Sequence, residues 1–248
     1  LSLREIYAEI KHVTHNRKVE NSMKICLINN LYPPYARGGA ERVVEMAAGE
    51  FKRAGHDVVI ISTSPQFKIL NFSAKGARLP DGQGSAFGGK IIEGIKNYQI
   101  FSLYYNLKSL LYPIRLFWHI ADMFDIGSFL AVRKILKKEK PDLVITHNLK
   151  GIGYLIPCAI KSLPSATLGT GGIKHIHTLH DIQLIHPSGL MIYGQEKKIE
   201  SFFAKMYATV CRLLFGSPDT VVSPSKWLLG MHEDRGFFKG SEKEVMPN

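Results

Sequence analysis

The sequence has few of the features that mark secreted, metal-binding and membrane-spanning proteins. Only three of its 248 residues are cysteines, Cys26, Cys158 and Cys211, and they lie far apart with no Cys-x-x-Cys or Cys/His spacing. We therefore predict reduced core cysteines in a cytosolic protein and no structural zinc site. No uninterrupted apolar run reaches the roughly 20 residues that a membrane span requires.

Several catalytic signatures are absent as well. No Gly-x-Ser-x-Gly elbow presents a nucleophile, which argues against a Ser-His-Asp hydrolase. No pair of carboxylates stands out as the acid and base of a glycosidase. Gly84, Gly89 and Lys90 match the first part of a Walker A motif, but Ile91 stands where Ser or Thr would hold magnesium. We therefore predict an ordinary loop there.

The charge of the chain is strongly positive. Its 32 Lys and Arg residues outnumber 21 Asp and Glu residues, which gives a formal net charge of +11. This balance favours anionic partners, namely phosphorylated substrates or an anionic membrane surface. No zinc finger, recognition helix or RNP-like aromatic pattern is present, so we expect no nucleic-acid binding.

A strand, a glycine turn, a helix and a second strand are predicted within residues 23–62. Residues 24–30 form a short apolar run, typical of a strand buried on both faces of a parallel sheet. Apolar side chains then recur at helical spacing over residues 40–54, and Gly55 ends that helix. The second buried strand follows at 57–62, so the unit implies a right-handed crossover within one sheet.

The rest of the chain continues as alternating strands and helices. We predict one domain over residues 23–248, an α/β three-layer Rossmann-like fold with a mainly parallel sheet and helices on both faces. Residues 1–22 are an N-terminal extension outside the core, and its first half has the pattern of an amphipathic helix. The predicted strands lie near 24–30, 57–62, 142–146, 174–179, 219–223 and 244–246. The later helices lie near 130–140, 151–162 with a kink at Pro157, 199–215 and 226–235 with Ser225 as its N-cap.

An aromatic, apolar segment from Ile100 to Phe129 predicts a pair of helices, preceded by a loop over residues 63–90. One interpretation is an interfacial helix pair, with its Lys and Arg side chains at lipid headgroups. The other is a helix pair that covers the edge of the sheet and keeps its charges in water. The second interpretation is favoured for most of these residues.

Three residue pairs are predicted at the carboxyl edge of the sheet, where ligands of open α/β sheets bind. They are Gly38-Gly39, His147-Asn148 and His180-Asp181. The glycines let a phosphate or a sugar hydroxyl approach the backbone closely at the N-terminus of a helix, where we expect free N–H groups and the helix dipole to face the substrate. Simpler alternatives are a tight turn at the glycines, a His147 bonded to a neighbouring carbonyl, and Asp181 as a turn cap.

Five blocks of the sequence carry a family resemblance when they are taken together. The blocks are NNLYPPYARGGAERVVEMA with GHDVVIIST, PDLVITHNLKG, HIHTLHDIQLIHP, VVSPSKWLLGMHEDRGF and the terminal EVMPN. They resemble the family 4 glycosyltransferases, which are enzymes of the two-domain GT-B fold. No block is specific by itself, but they occur in the family's order and cover residues 23–248.

The resemblance implies transfer of a sugar from a nucleotide-sugar donor, with retention of configuration and without a metal or other cofactor. The absence of a DxD-type run agrees with metal independence. By the resemblance, Gly38 and Gly39 bind substrate beside the donor phosphates, and His180 contacts the donor sugar near the reacting centre. Asp181 supports His180 in the catalytic set, and His147-Asn148 bind on the acceptor side.

The resemblance assigns residues 23–248 to the acceptor-side half of a GT-B enzyme, whose second domain carries most of the donor-binding residues. The first hypothesis is therefore the N-terminal half of a glycosyltransferase of cell-envelope polysaccharide biosynthesis, inactive without a donor domain. Its acceptor would be a saccharide or a lipid-linked molecule, and it would be cytoplasmic or peripheral on the membrane. The second is a non-catalytic module that binds an acceptor, a membrane or a partner subunit, or a gene fragment.

Overall fold

The computed structural model describes residues 22–36, 38–66, 94–109, 111–164, 172–191, 194, 197 and 199–247. Its centre is one sheet of seven strands, in which all six pairs of neighbours are parallel. The strands are β1 Lys24–Ile28, β2 Asp57–Ser64, β3 Lys96–Phe101, β4 Leu143–Thr146, β5 Lys174–Thr178, β6 Thr220–Ser223 and β7 Glu242–Val245.

The order of the strands creates a point of reversal beside β1. Neighbours in the sheet follow the order β3-β2-β1-β4-β5-β6-β7. The chain therefore builds one side of the sheet from β1 to β3 and then crosses to the other side of β1 with β4. At the carboxyl ends of this central pair, Ile28 is in register with Thr146. A ligand crevice forms at such a reversal in open parallel sheets.

Helices cover both faces of the sheet. Successive side chains of a strand point to opposite faces, so Ile25 and Leu27 of β1 join one core while Cys26 and Ile28 join the other. The first core is closed by α1, and the second by α2 to α6. The helices are α1 Gly39–Arg53, α2 Tyr112–Met123, α3 Ile126–Glu139, α4 Ile156–Lys161, α5 Phe202–Phe215 and α6 Lys226–Glu233, with a 3₁₀ helix at Leu103–Ser109.

Local sequence explains where several helices begin. Asp125, Ser201 and Ser225 are the N-caps of α3, α5 and α6, and each side chain accepts a hydrogen bond from the N–H three residues on. The predicted cap at Ser225 is therefore confirmed. Pro157 lies in the first turn of α4, where its missing N–H has no intrahelical partner to lose. The predicted kink at Pro157 is wrong, because α4 begins at Ile156.

The predicted three-layer α/β fold is confirmed, and so are its six predicted strands within a few residues. Strand β3 was not predicted. Because Ile100 and Phe101 belong to β3, the predicted helix pair starts too early: its first α-helix begins only at Tyr112. The loop predicted from Thr63 is also wrong at its start, because β2 runs to Ser64 and pairs with β3.

The cysteines are free, as predicted, but only two of them are in the core. Cys26 and Cys211 are buried, whereas Cys158 is exposed. Cys158 points away from the sheet because its neighbours in α4, Pro157 and Ala159, take the buried side.

Three segments with sequence-based predictions lie outside the described residues. They are the helix in the first half of residues 1–22, the loop with Gly84, Gly89 and Lys90, and residues 165–171. Within the described ranges, no helix has the length and apolarity that crossing a membrane requires.

Candidate active site at the carboxyl edge of the sheet

Polar residues follow three strands at or beside the point of reversal. Asn29-Asn30 follow β1, His147-Asn148 follow β4, and His180-Asp181 come shortly after β5. Three of the six side chains are buried, namely Asn29, Asn30 and His147. The others, Asn148, His180 and Asp181, are half-buried. Because these strands are parallel neighbours, their carboxyl ends bring all six residues to one edge.

Hydrogen bonds join the loops that carry these residues. The Asn30 N–H donates to the Asn148 carbonyl oxygen at 2.8 Å, and the Asn148 N–H donates to Asn29 Oδ1 at 3.0 Å. The side-chain amide of Gln183 donates to Asn148 Oδ1 at 2.5 Å and accepts the Lys150 N–H at 3.2 Å. The loops after β1, β4 and β5 are therefore held in one arrangement, which positions the site before any ligand arrives.

His147 and His180 form a direct pair. Nδ1 of His147 lies 2.9 Å from Nε2 of His180, and the rings stack with their centroids 5.2 Å apart. Burial lowers the pKa of His180 to about 4, and burial together with His180 lowers the pKa of His147 well below its ordinary value. Both rings are thus neutral near pH 7 and offer hydrogen bonds without net charge.

Two histidines of β5 support the end of β4. The Thr146 hydroxyl lies 2.8 Å from His175 Nε2 and 3.0 Å from His177 Nδ1. Both rings are buried, and burial lowers both of their pKa values, that of His175 to about 3. Because Thr146 directly precedes His147, these contacts fix the backbone that delivers His147 to the site.

The glycine pair opens α1, and its two members differ. No atom lies within 4 Å of the position that a Cβ on Gly39 would take, and Gly39 is exposed, so a ligand can approach its backbone. The Gly38 N–H donates to Oε2 of the buried Glu41 at 2.6 Å. The expectation of free N–H groups is therefore wrong at Gly38. Glu41 also places negative charge at a helix N-terminus that was expected to attract an anion.

Asp181 makes a local turn contact. Its Oδ1 accepts a hydrogen bond from the Gln183 N–H at 2.7 Å, as in an Asx turn. Burial raises the pKa of Asp181, and the Gln183 N–H and Lys150 oppose that rise. The turn-cap alternative accounts for this hydrogen bond, and a catalytic role for Asp181 stays a prediction.

A cation and a buried carboxyl next to these loops were not predicted. Nζ of Lys150 donates to the Pro187 carbonyl oxygen at 2.6 Å and lies 6.0 Å from the centre of the Tyr104 ring. Both oxygens of Asp122 lie 2.9 Å from the Gly151 nitrogen, and burial raises the pKa of Asp122 to about 7. Lys150 acts electrostatically on the carboxyls of both Asp122 and Asp181. It is therefore the cation that links the site to α2.

The structure brings the predicted pairs to one edge by different routes. His147 touches His180 directly, and Gln183 connects Asn148 with Asp181. Gly38 of the glycine pair donates to Glu41, whose charge contributes to raising the pKa of Asp181. Sequence reasoning missed the buried asparagines at 29–30 because it assigned them to β1. A polar pair directly after a buried strand was the available signal, since the same signal located His147-Asn148.

No group of three or more His, Cys, Asp and Glu side chains in the described part of the chain is placed to hold a metal ion.

The sequence profile described as Glycosyltransferase Family 4 matches residues 37–248. This chain belongs to glycosyltransferase family 4. A curated relative of this family 4 chain is an uncharacterized 42.6 kDa protein in the cps region of Klebsiella pneumoniae. The two are 28% identical over 230 residues, which cover 91% of this chain and 55% of the relative.

Among solved structures, the family 4 chain is similar to sucrose-phosphate synthase from Thermosynechococcus elongatus. The TM-score is 0.52 at 12% identity, over 91% of this chain and 48% of that one. At this identity the likeness concerns the fold, which is the Rossmann-like unit of GT-B glycosyltransferases. The chain spans about half the length of the proteins it matches.

Proposed function

We propose that this family 4 chain forms the acceptor-side half of a retaining glycosyltransferase. It would act in transfer of a sugar from a nucleotide-sugar donor to a saccharide or lipid-linked acceptor of the cell envelope. His180 is the group near the reacting sugar, with Asp181 holding its loop. His147 and Asn148 contribute on the acceptor side, and Gly39 gives the substrate access to the backbone.

The observation that carries this proposal is the neutral His147–His180 pair at the reversal point of a family 4 sheet. Sugar hydroxyls both donate and accept hydrogen bonds, so uncharged imidazoles at a fixed site suit them. A diphosphate needs compensating positive charge instead. With both rings neutral and the Glu41 carboxylate at the glycine pair, these residues suit a sugar better than the diphosphate of the donor.

This difference leads to a specific expectation for binding. In the proposal, residues outside this chain bind most of the nucleotide and its phosphates. Saccharides contact His180 and Gly39 of this chain. Calorimetric titration with UDP, GDP and their sugar conjugates is therefore expected to give weak binding by the chain alone. Binding and sugar transfer are expected when a chain carrying a second, donor-binding Rossmann-like domain is added.

Two results would count against the proposal. Tight nucleotide binding by this chain alone would overturn the assignment of the donor phosphates to other residues. Saccharide binding that never leads to transfer, with any donor and any added domain, would favour the non-catalytic binding module instead. Substitution of His180 by Ala is expected to abolish transfer, while His56→Ala, at the opposite end of the sheet, is the matched control.

A further inference from the structure

Three basic side chains gather where helix α2 meets the loop after β4. Arg115 and His119 lie four residues apart on α2, and Asp122 follows three residues later, so all three share one side of the helix. That side faces the loop, because both oxygens of Asp122 lie 2.9 Å from the Gly151 nitrogen. Lys150 directly precedes Gly151 and therefore lies beside the same side of α2. We call Arg115, His119 and Lys150 the basic cluster.

His119 lies in the middle of this cluster. Burial, together with Lys150, His186 and Arg115, lowers the pKa of His119 to about 4. The two permanent cations and His186 are therefore near enough to the His119 ring for their charges to act on it. All four side chains are half-buried, so water screens these charges less than it does on an open surface.

The positive charge of the basic cluster has no partner of opposite sign in direct contact. None of the ion pairs among the described residues includes Arg115, His119 or Lys150. Nζ of Lys150 donates to an uncharged group, the Pro187 carbonyl oxygen. In the described part of the chain, Nε of Arg115 is buried without a hydrogen-bond partner. A buried donor of a charged group is costly to leave unpaired, so a bound anion would complete this arrangement.

Two carboxyl groups come near the basic cluster without neutralising it. Asp122 and Asp181 act on Lys150, yet burial still lowers the pKa of Lys150 below its ordinary value. Burial also raises the pKa of Asp122 to about 7, so that carboxyl is only partly ionised near neutral pH. Asp181 already accepts a hydrogen bond from the Gln183 N–H. The cluster thus keeps a positive charge that a ligand can neutralise.

We propose that Arg115, His119 and Lys150 bind an anionic group of the acceptor, a phosphate or a carboxylate attached to its sugar. Guanidinium and ammonium groups hold the oxygens of either anion through charge-assisted hydrogen bonds, and a neutral imidazole adds a further donor. The inference deepens the proposed function and rests on it, because that function assigns this side of the site to the acceptor.

Hydrogen bonds connect the basic cluster to the residues assigned to the acceptor sugar. The Lys150 N–H donates to Gln183 Oε1 at 3.2 Å, and the side-chain amide of Gln183 donates to Asn148 Oδ1 at 2.5 Å. Asn148 follows His147, which contacts His180. A sugar at His147 and Asn148 can therefore present an anionic group to the cluster. A neutral acceptor would leave the cluster unpaired, so the cluster selects acceptors by charge.

NMR titration of the whole chain tests this inference with three probes that share one kind of sugar ring. They are glucose 1-phosphate, glucuronate and methyl glucoside, which carry a phosphate, a carboxylate and no charge. At least one of the two anions is expected to bind roughly tenfold or more tightly than methyl glucoside, from its charge-assisted hydrogen bonds. The anion that binds more tightly identifies the group that the cluster recognises. Signals of Lys150 and His119 are expected to shift with the anions.

Two substitutions remove one charge each and keep an unbranched side chain. Lys150→Met and Arg115→Met are each expected to weaken binding of the preferred anion roughly tenfold, and so to narrow its difference from methyl glucoside. Lys52→Met is the matched control, because Lys52 is also half-buried but lies in the last turn of α1, at the amino end of the sheet. It is expected to leave binding of all three probes unchanged. The urea midpoint of each variant shows that it is folded.

Equal affinity for the charged and neutral probes would overturn the inference, and so would equal loss of anion binding with Lys52→Met. Sugar transfer after addition of a donor-binding domain tests the proposed function separately. Anion selectivity that Lys150→Met removes would support the anion site even where transfer fails. Transfer that Lys150→Met and Arg115→Met do not slow would overturn the anion site and leave the proposed function standing.

Discussion

His147 has two ring nitrogens, and in the described part of the structure only one of them has a hydrogen-bond partner. Nδ1 faces His180, whereas Nε2 is buried without one. A buried N–H without a partner is rarer in proteins than a buried acceptor without one. The hydrogen of His147 is therefore best placed on Nδ1, from which it is donated to His180 Nε2. This assignment leaves His180 with its hydrogen on Nδ1, ready to donate to a ligand.

The substitution His147→Phe tests this positioning role. The ring keeps its approximate size but loses the donor, so His180 is expected to lose its single tautomer and give a mixture of Nδ1–H and Nε2–H forms. Long-range ¹H–¹⁵N correlation spectra of the imidazole report the tautomer directly. His56→Phe, at the amino end of the sheet, is expected to leave the His180 spectrum unchanged. An unaltered His180 tautomer in His147→Phe would remove the role assigned to His147.

At the scale of elements, the sequence predicted six strands, including β7 at one edge of the sheet, and missed β3 at the other edge. Strands β1 and β2 contain the continuous apolar runs ICLI and VVII, because both of their faces are covered. Strand β3 lies at the edge and alternates partly exposed and buried residues over KNYQIF. Such a short alternation is a weak signal. The predicted His147-Asn148 and His180-Asp181 followed from strand ends and Gly38-Gly39 from the start of the first helix, whereas Glu41 lies inside that helix and Gln183 in a loop, where neither signal applies.

The turn between the end of β4 and α4 provides an element-scale prediction. Gly153 has a φ of +94°, and a Cβ there would lie 2.9 Å from the Asp122 carbonyl oxygen and 3.0 Å from Asp125 Cβ. Gly55 has a similar φ of +89° with no atom within 4 Å of such a Cβ. Gly55→Ala is expected to lower the free energy of unfolding by about 1–2 kcal/mol from backbone strain alone.

Gly153→Ala is expected to cost clearly more than Gly55→Ala, because the added methyl group also displaces the junction of α2 and α3. Urea unfolding of the two variants measures the difference. Equal losses would show that the α2–α3 junction yields easily to the methyl group. In that case Gly153 would matter for its backbone conformation only.

At the scale of the whole molecule, four buried histidines connect stability to pH. They are His147, His175, His177 and His232, each at most 3% exposed. Burial lowers the pKa of all four below the ordinary value near 6.5, to about 3 for His175 and about 4 for His232. As the pH falls below 6.5, these histidines are therefore protonated in the unfolded chain but stay neutral in the folded chain. The free energy of unfolding is highest above that pH and decreases as the pH falls toward 4.

We expect the free energy of unfolding to fall by about 1 kcal/mol per buried histidine between about pH 7.5 and pH 5.5. Asp122 opposes this trend with a single proton, because its folded pKa of about 7 lies above that of an unfolded Asp. Urea unfolding at a series of pH values measures the slope. His232→Phe removes one titrating ring from the cluster with Phe237 and Phe238, so it is expected to remove about a quarter of the part of the slope that these four histidines contribute. Equal stability at both pH values would mean that the buried histidines accept protons in the folded chain, and the neutral His147–His180 pair would then be wrong as well.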